Sequence, residues 1–214
     1  MPITVATFNI HDAVGTDGVR DIARIARAIE ETSADVVALQ EVSGPGGVKG
    51  TRPDLFAVLS RSFGGYAVEG AALLDPERRY GNLLLSKWPV IDQRVADLTY
   101  GSREPRTAIV ATLASPAGPL RIIASHFGLK LGERWRQAGT IGGLVGTERA
   151  LPTIVLGDFN DWLPFSPAVR RLCRALDLLP GPFKRVPTFP SRLPLLALDR
   201  ILTNGLIIPR TLEV

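Results

Sequence analysis

The chain has 214 residues, 45% of them hydrophobic and 21% charged, a composition that suits a folded globular protein with material for one sizeable core. Its apolar runs are strand-sized, which excludes a membrane-spanning helix, and its single cysteine, Cys173, excludes an internal disulfide and a cysteine-clustered zinc site. A net charge of +4 and a pI of about 9.6 suit a phosphate-bearing partner without specifying one.

Met1-Pro2-Ile3-Thr4-Val5 has no basic n-region and no long apolar h-region, so no secretory leader is expected and the cytoplasm is the expected compartment. Ile3 to Phe8 reads as a strand of β-branched and aromatic residues ending at Asn9. Gly15-Thr16-Asp17-Gly18 is a turn that can cap a helix, and Ile22, Ile25, Ala26 and Ile29 then recur at helical spacing. Asp35 to Leu39 is a nearly continuous apolar strand that exits at Gln40-Glu41. A strand–helix–strand unit therefore opens the chain.

Residues 43–53, rich in Gly and Pro, read as a loop, and Asp54 to Ser60 as a helix. Gly81 to Ser86 is a strand stopped by Pro89. Thr107 to Leu113 and Leu120 to Ser125 form a hairpin around Ser115-Pro116-Ala117-Gly118-Pro119, and its second strand ends at His126. Glu133 to Glu148 has helical character weakened by Gly139, Gly142, Gly143 and Gly146, each costing about 1 kcal/mol relative to alanine. The apolar run Thr153 to Leu156 leads into Gly157-Asp158-Phe159-Asn160. A helix over 167–178, a proline-rich loop over 180–194 and a short strand over 198–202 complete the series. Cys173 falls on that helix and is expected to be buried. No solenoid-period repeat and no interdomain linker interrupts the chain, so residues 1–214 are expected to form one domain.

Asn9, Glu41, His126, Asp158, Asn160 and Asp199 all stand at or beside the ends of apolar strands. Taken singly they are ordinary: a strand-end Asn or Asp usually forms a turn, Glu41 and Arg106 would be solvated surface charges, and His126 could simply be packed. His11 reads as structural or peripheral, and Asn82 as a strand-start amide. Their order is less ordinary. Thr7-Phe8-Asn9, Leu39-Gln40-Glu41-Val42, Gly81-Asn82-Leu83-Leu84-Leu85-Ser86, Glu104-Pro105-Arg106, Ser125-His126-Phe127-Gly128, Gly157-Asp158-Phe159-Asn160 and Leu198-Asp199-Arg200-Ile201 together resemble, in order, the endonuclease/exonuclease/phosphatase superfamily. Asn9-Ile10-His11, Gly15 to Gly18 and Pro187-Thr188-Phe189-Pro190-Ser191 are similar to a bacterial subgroup of it.

The resemblance implies a four-layer α/β/β/α sandwich, two mixed sheets flanked by helices, with the site where the strand exits gather. It implies Mg²⁺, or Mn²⁺ in its place, held mainly by Glu41 with Asn9 beside it, since a hard cation takes carboxylate oxygens and keeps several waters. His126 and Asn160 would hydrogen-bond phosphoryl oxygens, Asp158 would activate the attacking water, Asp199 would support the site, and Arg106 would grip phosphate as a fixed fork. The implied activity is metal-dependent hydrolysis of a phosphate ester in a bacterial-type cytoplasm.

The family pattern ends in an Asp-His pair followed by a last core strand. His11 and His126 are the only histidines, and Arg200 stays protonated, so it supplies no base. The final core strand is therefore expected to be missing from these residues, leaving a gap at a central position of the second sheet, and the native chain is expected to continue past Val214. The alternative is a catalytically incomplete phosphate-binding or scaffold protein on the same fold.

The substrate stays open between nucleic acid, a lipid head group and a small phosphoester. A nucleic-acid reader needs a basic stripe and groove-entering loops, for which Ser43 to Pro53 and Lys130 to Arg136 are candidates. Lys130, Arg134, Trp135 and Arg136 would meet phosphate or a membrane surface, or else begin an amphipathic helix. Loop 180–194, with Phe183, Phe189 and Leu193 and with Leu195 just beyond it, would favour lipid if exposed beside the site; ordinary burial is expected.

Overall fold

The computed structural model describes residues 2–45, 53–74, 78–145, 150–163, 165–179, 186–207 and 211. β1 (Val5–Asn9) and β2 (Val36–Pro45) run parallel, with Val5 opposite Val36 and Asn9 opposite Gln40. Parallel neighbours need a crossover, and α1 (Ile22–Glu31) supplies it. Asp21 rather than the preceding turn caps α1, accepting from the Arg24 backbone N–H, and Ile25 and Ile29 face inward at the expected spacing. α2 (Leu55–Phe63) is capped by Asp54. It joins α1 over a core of Leu39, Leu59, Leu83 and Leu85 on the outer face of the first sheet.

β3 (Tyr66–Leu74) and β4 (Arg78–Ser86) complete that sheet in the order β1-β2-β4-β3. The second sheet contains β5 (Val90–Asp97), β6 (Thr107–Ser115), β7 (Gly118–His126), β8 (Thr153–Asp158), β9 (Leu178–Leu179) and β10 (Asp199–Asn204). Its order is β5-β6-β7-β8-β10-β9. Both sheets mix parallel and antiparallel pairs. Val36, Ala38 and Leu84 of one sheet pack against Ile109, Ile122 and Leu156 of the other. α3 (Leu131–Val145) and α4 (Pro167–Leu176) cover the outer face of the second sheet through Ala138, Ile141 and Leu172. The result is the expected four-layer sandwich. Gly142 of α3 has a packing role: a Cβ there would lie 2.5 Å from the Ala175 Cβ, so its absence lets α4 approach, whereas a Cβ at Gly143 would meet nothing. Cys173 is half-buried on α4.

Several expectations are corrected. β2 does not stop at Leu39. A bulge at Gln40-Glu41 lets it resume, with Val42 opposite Gly81 and Pro45 opposite Arg78, so Ser43 to Pro45 is strand rather than loop; residues 46–52 lie outside the described residues. β3 has weak strand-forming residues such as Glu69, Gly70 and Ala71, and it forms because β4 offers it a complete ladder. β5 is an edge strand whose exposed Asp92, Gln93 and Arg94 hide its period while blunting the edge against further pairing. The second sheet has no gap: β8 pairs with β7 on one side and β10 on the other. Among the described residues the strands with one neighbour are the sheet edges, β1 and β3 in the first sheet and β5 and β9 in the second.

Register assembles the site. His126 lies opposite Asp158, and Asp158 opposite Asp199, so adjacent strands present these groups at one sheet end. Phe127 and Phe159, the residues after those two strand ends, stack with ring centroids 4.6 Å apart and fix the exits together. Gly157 makes this approach feasible: its φ is 149°, and a Cβ there would sit 1.8 Å from the Ser125 carbonyl oxygen. Gly157→Ala is therefore expected to destabilise the fold by about 3 kcal/mol through backbone displacement, measured by urea unfolding; a loss below about 1 kcal/mol would show that β7 and β8 can separate without cost.

Candidate active site

Asn9 joins the two sheets chemically. Its Nδ2 donates to Glu41 Oε1 at 2.9 Å and to Asp158 Oδ2 at 3.1 Å, while its Oδ1 accepts the His11 backbone N–H at 3.1 Å. Glu41 sits on the β2 bulge with a φ of 58°. The bulge turns its side chain out of the strand alternation and toward Asn9. Burial pushes the Glu41 carboxyl up, but hydrogen bonds from His11 and Asn9 and the nearby His126 outweigh it and bring the pKa to about 2. Tyr80 adds a further hydrogen bond to Glu41, and burial together with that carboxylate holds its phenol protonated.

His11 belongs to this cluster rather than to the periphery. Its Nδ1 lies 3.2 Å from Glu41 Oε2, and the hydrogen bond to Glu41 raises its pKa against the opposing effect of burial. The turn that puts it there is unusual: His11, Asp12 and Ala13 have consecutive φ values of 47°, 54° and 61°. Left-handed backbone costs about 1–2 kcal/mol per non-glycine residue. Asp12 anchors the turn: its carboxylate accepts from Ser43 Oγ and from Arg20 Nη2 at 3.1 Å, and its carbonyl oxygen accepts from Arg20 Nε at 3.0 Å. Asn160, with a φ of 49°, is held by a bond from its backbone N–H to Asp158 Oδ1 at 2.9 Å. Strained backbone thus recurs at Glu41, Asn160 and the His11 turn, as at built functional sites.

Beside the carboxylates lies a donor-rich group, with His126 Nε2 3.7 Å from Asp158 Oδ2. Arg106 Nη1 is 3.2 Å from His126 Nδ1, and Asn160 Nδ2 is 3.0 Å from His126 Nε2 while also donating to the Phe127 carbonyl at 2.8 Å. A neutral imidazole has one lone-pair nitrogen, so it cannot accept from both neighbours. A second ring proton is more unwelcome still: burial first, then the Arg106 charge, keeps the His126 imidazole neutral, with Asp158 only partly offsetting them. Arg106 is buried, pairs with Glu104 at 3.0 Å, and its Nε has no partner among the described residues. More N–H groups converge here than the protein oxygens around them absorb.

Asp199 faces Asp158 across the ladder. Burial raises its pKa to about 6, the Asp158 charge adds to the rise, and the hydrogen bond from Thr188 only moderates it. Arg200 turns away into carbonyl oxygens of Ala197, Asp199 and Asp161 and acts as a structural tie. Asn82 donates to the Thr107 carbonyl at 2.9 Å and ties the sheets together.

The structure therefore gathers Asn9, Glu41, Arg106, His126, Asp158, Asn160 and Asp199 at one end of the sandwich. Asn9 turns its amide N–H, not its oxygen, toward the carboxylates, which suits an orienting role better than cation ligation. Sequence reasoning reads His11 as structural or peripheral and passes over Tyr80. Tyr80 follows from the register of β4 against β2 beyond the bulge, a non-local property, and His11 from a left-handed turn that no local signal announces. Arg134 does not meet substrate: it is fully buried, 3.6 Å from Asp161 and stacked on Trp162.

A family model described as the Endonuclease/Exonuclease/phosphatase family matches residues 6–214. The uncharacterised protein YbhP of Escherichia coli is 29% identical over 212 aligned residues, spanning 92% of this chain and 83% of that protein. A solved endonuclease/exonuclease/phosphatase structure from Beutenbergia cavernae matches with a TM-score of 0.78 and 22% identity over 95% of this chain. The match covers 64% of the Beutenbergia chain, less than two thirds of its length. The mannosyl-6-phosphatase Bt3783 of Bacteroides thetaiotaomicron matches with a TM-score of 0.69 and 15% identity, covering 95% of this chain and 86% of that one. At these identities the solved structures speak to the fold.

Asp199 makes stability fall as pH rises. The folded protein retains a proton up to about pH 6 that the unfolded chain releases near 3.8, so unfolding gains over that window. Glu41 acts with opposite sign in a lower window, between about pH 2 and 4.5. Asp199→Asn is expected to stabilise the protein in EDTA by about 2 kcal/mol above pH 6 and to change little near pH 4. Urea unfolding across this range checks it; equal stabilities at pH 7 would show that Asp199 titrates normally.

Proposed function

The chain belongs to the endonuclease/exonuclease/phosphatase family, and from that premise we propose that it hydrolyses phosphate esters with the help of a divalent cation, Mg²⁺ or Mn²⁺. One observation carries the reading. The Asn9 amide bridges Glu41 of one sheet to Asp158 of the other, so carboxylates collect directly beside the N–H donors at Arg106, His126 and Asn160. A phosphate ester needs both halves: anionic oxygens seek the donors, and a cation between ester and carboxylates neutralises charge.

The donor set fits a hard cation. Glu41 is ionised and partly exposed, and Asp158 and Asp199 lie on the adjacent strand ends. A hard cation keeps much of its water and needs only one or two protein carboxylates. Glu41 would hold it, with Asp158 or Asp199 near. When bound, the cation would offset the charge of the phosphoryl group and of the departing oxygen.

The chain's own groups supply the rest. His126, neutral, and the Asn160 amide donate to nonbridging phosphoryl oxygens as negative charge develops there. Arg106 keeps its charge throughout and anchors the phosphate while orienting His126 through Nδ1. The Asp158 carboxylate accepts a proton from water as that water attacks phosphorus in line with the leaving oxygen. A P–O bond forms to water, the P–O bond to the leaving group breaks, and the alkoxide takes a proton from solvent. No covalent enzyme intermediate is involved.

With bis(p-nitrophenyl) phosphate and Mg²⁺, Glu41→Ala and Asp158→Ala are each expected to lower turnover by about a hundredfold or more with circular dichroism unchanged. EDTA should abolish turnover and Mg²⁺ restore it. Near-normal hydrolysis by either variant would overturn the site assignment, and the absence of metal-dependent turnover on diesters and monoesters alike would favour a phosphate-binding protein on this fold.

A further inference from the structure

The loops that leave the site end of the second sheet carry large apolar side chains into solvent. Leu129 and Leu131 follow β7, Phe165 follows β8, and Leu193 and Leu195 precede β10; all are 58–79% exposed. Trp162 and Phe189, on the same loops, are 46% exposed. Because His126, Asp158 and Asp199 are in register, these loops emerge side by side around the site.

The segment before β10 is not packed as expected. Residues 188–196 fold into a small hairpin, closed by Phe189 N–H to the Leu196 carbonyl at 2.9 Å and Leu196 N–H to the Phe189 carbonyl at 2.8 Å. Arg192 Nη2 donates to the Thr16 carbonyl at 2.9 Å, which leans the hairpin toward the loop that follows the His11 turn. Residues 180–185 of the proline-rich loop lie outside the described residues. A hairpin held by its own backbone while its leucines face water is a presented surface, not a failed core.

Charge selects what this surface meets. Among the described residues of 127–131, 159–166 and 186–198, the exposed charged side chains are Lys130 and Arg192, each beside exposed leucine; the one acid, Asp161, is fully buried. A nucleic-acid surface needs a row of cations with few apolar tips. Leucine, phenylalanine and tryptophan interspersed with a few cations, and no exposed anion, match the boundary of an anionic bilayer, where apolar tips enter the acyl edge and cations meet lipid phosphate.

We propose that the rim formed by residues 127–131, 159–163, 165–166 and 186–198 docks the protein on anionic phospholipid membrane, with the site mouth facing the head groups. It follows, resting on the hydrolase reading above, that the substrate is a phosphoester presented at the lipid surface.

The test separates the two ideas because docking is read without catalysis. In EDTA, the protein should co-sediment with phosphatidylglycerol-containing vesicles, more weakly with pure phosphatidylcholine, and less at high salt. Leu129→Glu combined with Leu195→Glu should lower partition by about tenfold or more, while circular dichroism and turnover of a soluble diester stay unchanged. Phe165→Ser with Leu193→Ser gives the same readout should the charged pair misfold. Protein that stays in the supernatant with anionic vesicles, variants that partition like wild type, or a concentration-dependent dimer abolished by these substitutions would each overturn the membrane assignment. Vesicle binding without any turnover would uphold the surface and sink only the hydrolase reading.

Discussion

Everything at this site depends on collecting carboxylates that repel one another. Glu41 comes from the first sheet, while Asp158 and Asp199 come from neighbouring strands of the second. In a partly buried setting, like charges at such range cost several kcal/mol unless something intervenes. The protein's own intervention is modest: one amide, Asn9 Nδ2, shared between Glu41 and Asp158. It does not reach Asp199, whose pKa burial first and the Asp158 charge second push up. A site that resists its own ionisation is stabilised by whatever brings positive charge into it, so cation binding and local stability are coupled.

The backbone shows how the arrangement is imposed. Glu41 on its bulge, the left-handed turn at His11 to Ala13, and Asn160 after Asp158 all occupy sparsely populated conformations. Each is over-determined from outside: Arg20 and Ser43 secure Asp12, the Asp158 carboxylate secures Asn160, and continued pairing of β2 with β4 secures the bulge. The stacked Phe127 and Phe159 rings underneath transfer core rigidity to the strand exits. The result is preorganisation, in which the polar groups are oriented by folding and need little rearrangement when a ligand arrives.

Much of this was legible in the sequence where the cause is local. Runs such as Val36 to Leu39 and Ile154 to Leu156 announce buried strands, and polar residues directly after them announce a shared end of a sandwich. What is not legible depends on partners distant in the chain. β3 and β5 take their places because β4 and β6 present open ladders, which carry the weak stretches Glu69-Gly70-Ala71 and Asp92-Gln93-Arg94. The bulge at Glu41 is a register event between β2 and β4, and Tyr80 reaches Glu41 only because of it. Arg134 reads as a surface cation and is instead held inside by Asp161 and Trp162, neither of them near it in sequence.

The exposed rim and the site explain one another physically. Donors such as Arg106 and His126 work best where water is scarce, yet the site end of the sandwich stands open, with Glu41 partly exposed. A lid could exclude water, but the loops here hold apolar tips outward instead of folding them over the carboxylates. Seating those tips at a bilayer boundary would bury them and at once lower the dielectric around the mouth, strengthening each hydrogen bond offered to a phosphoryl oxygen. On this view the membrane completes the enclosure that the chain leaves unfinished, and the same contact that positions the protein also prepares its chemistry.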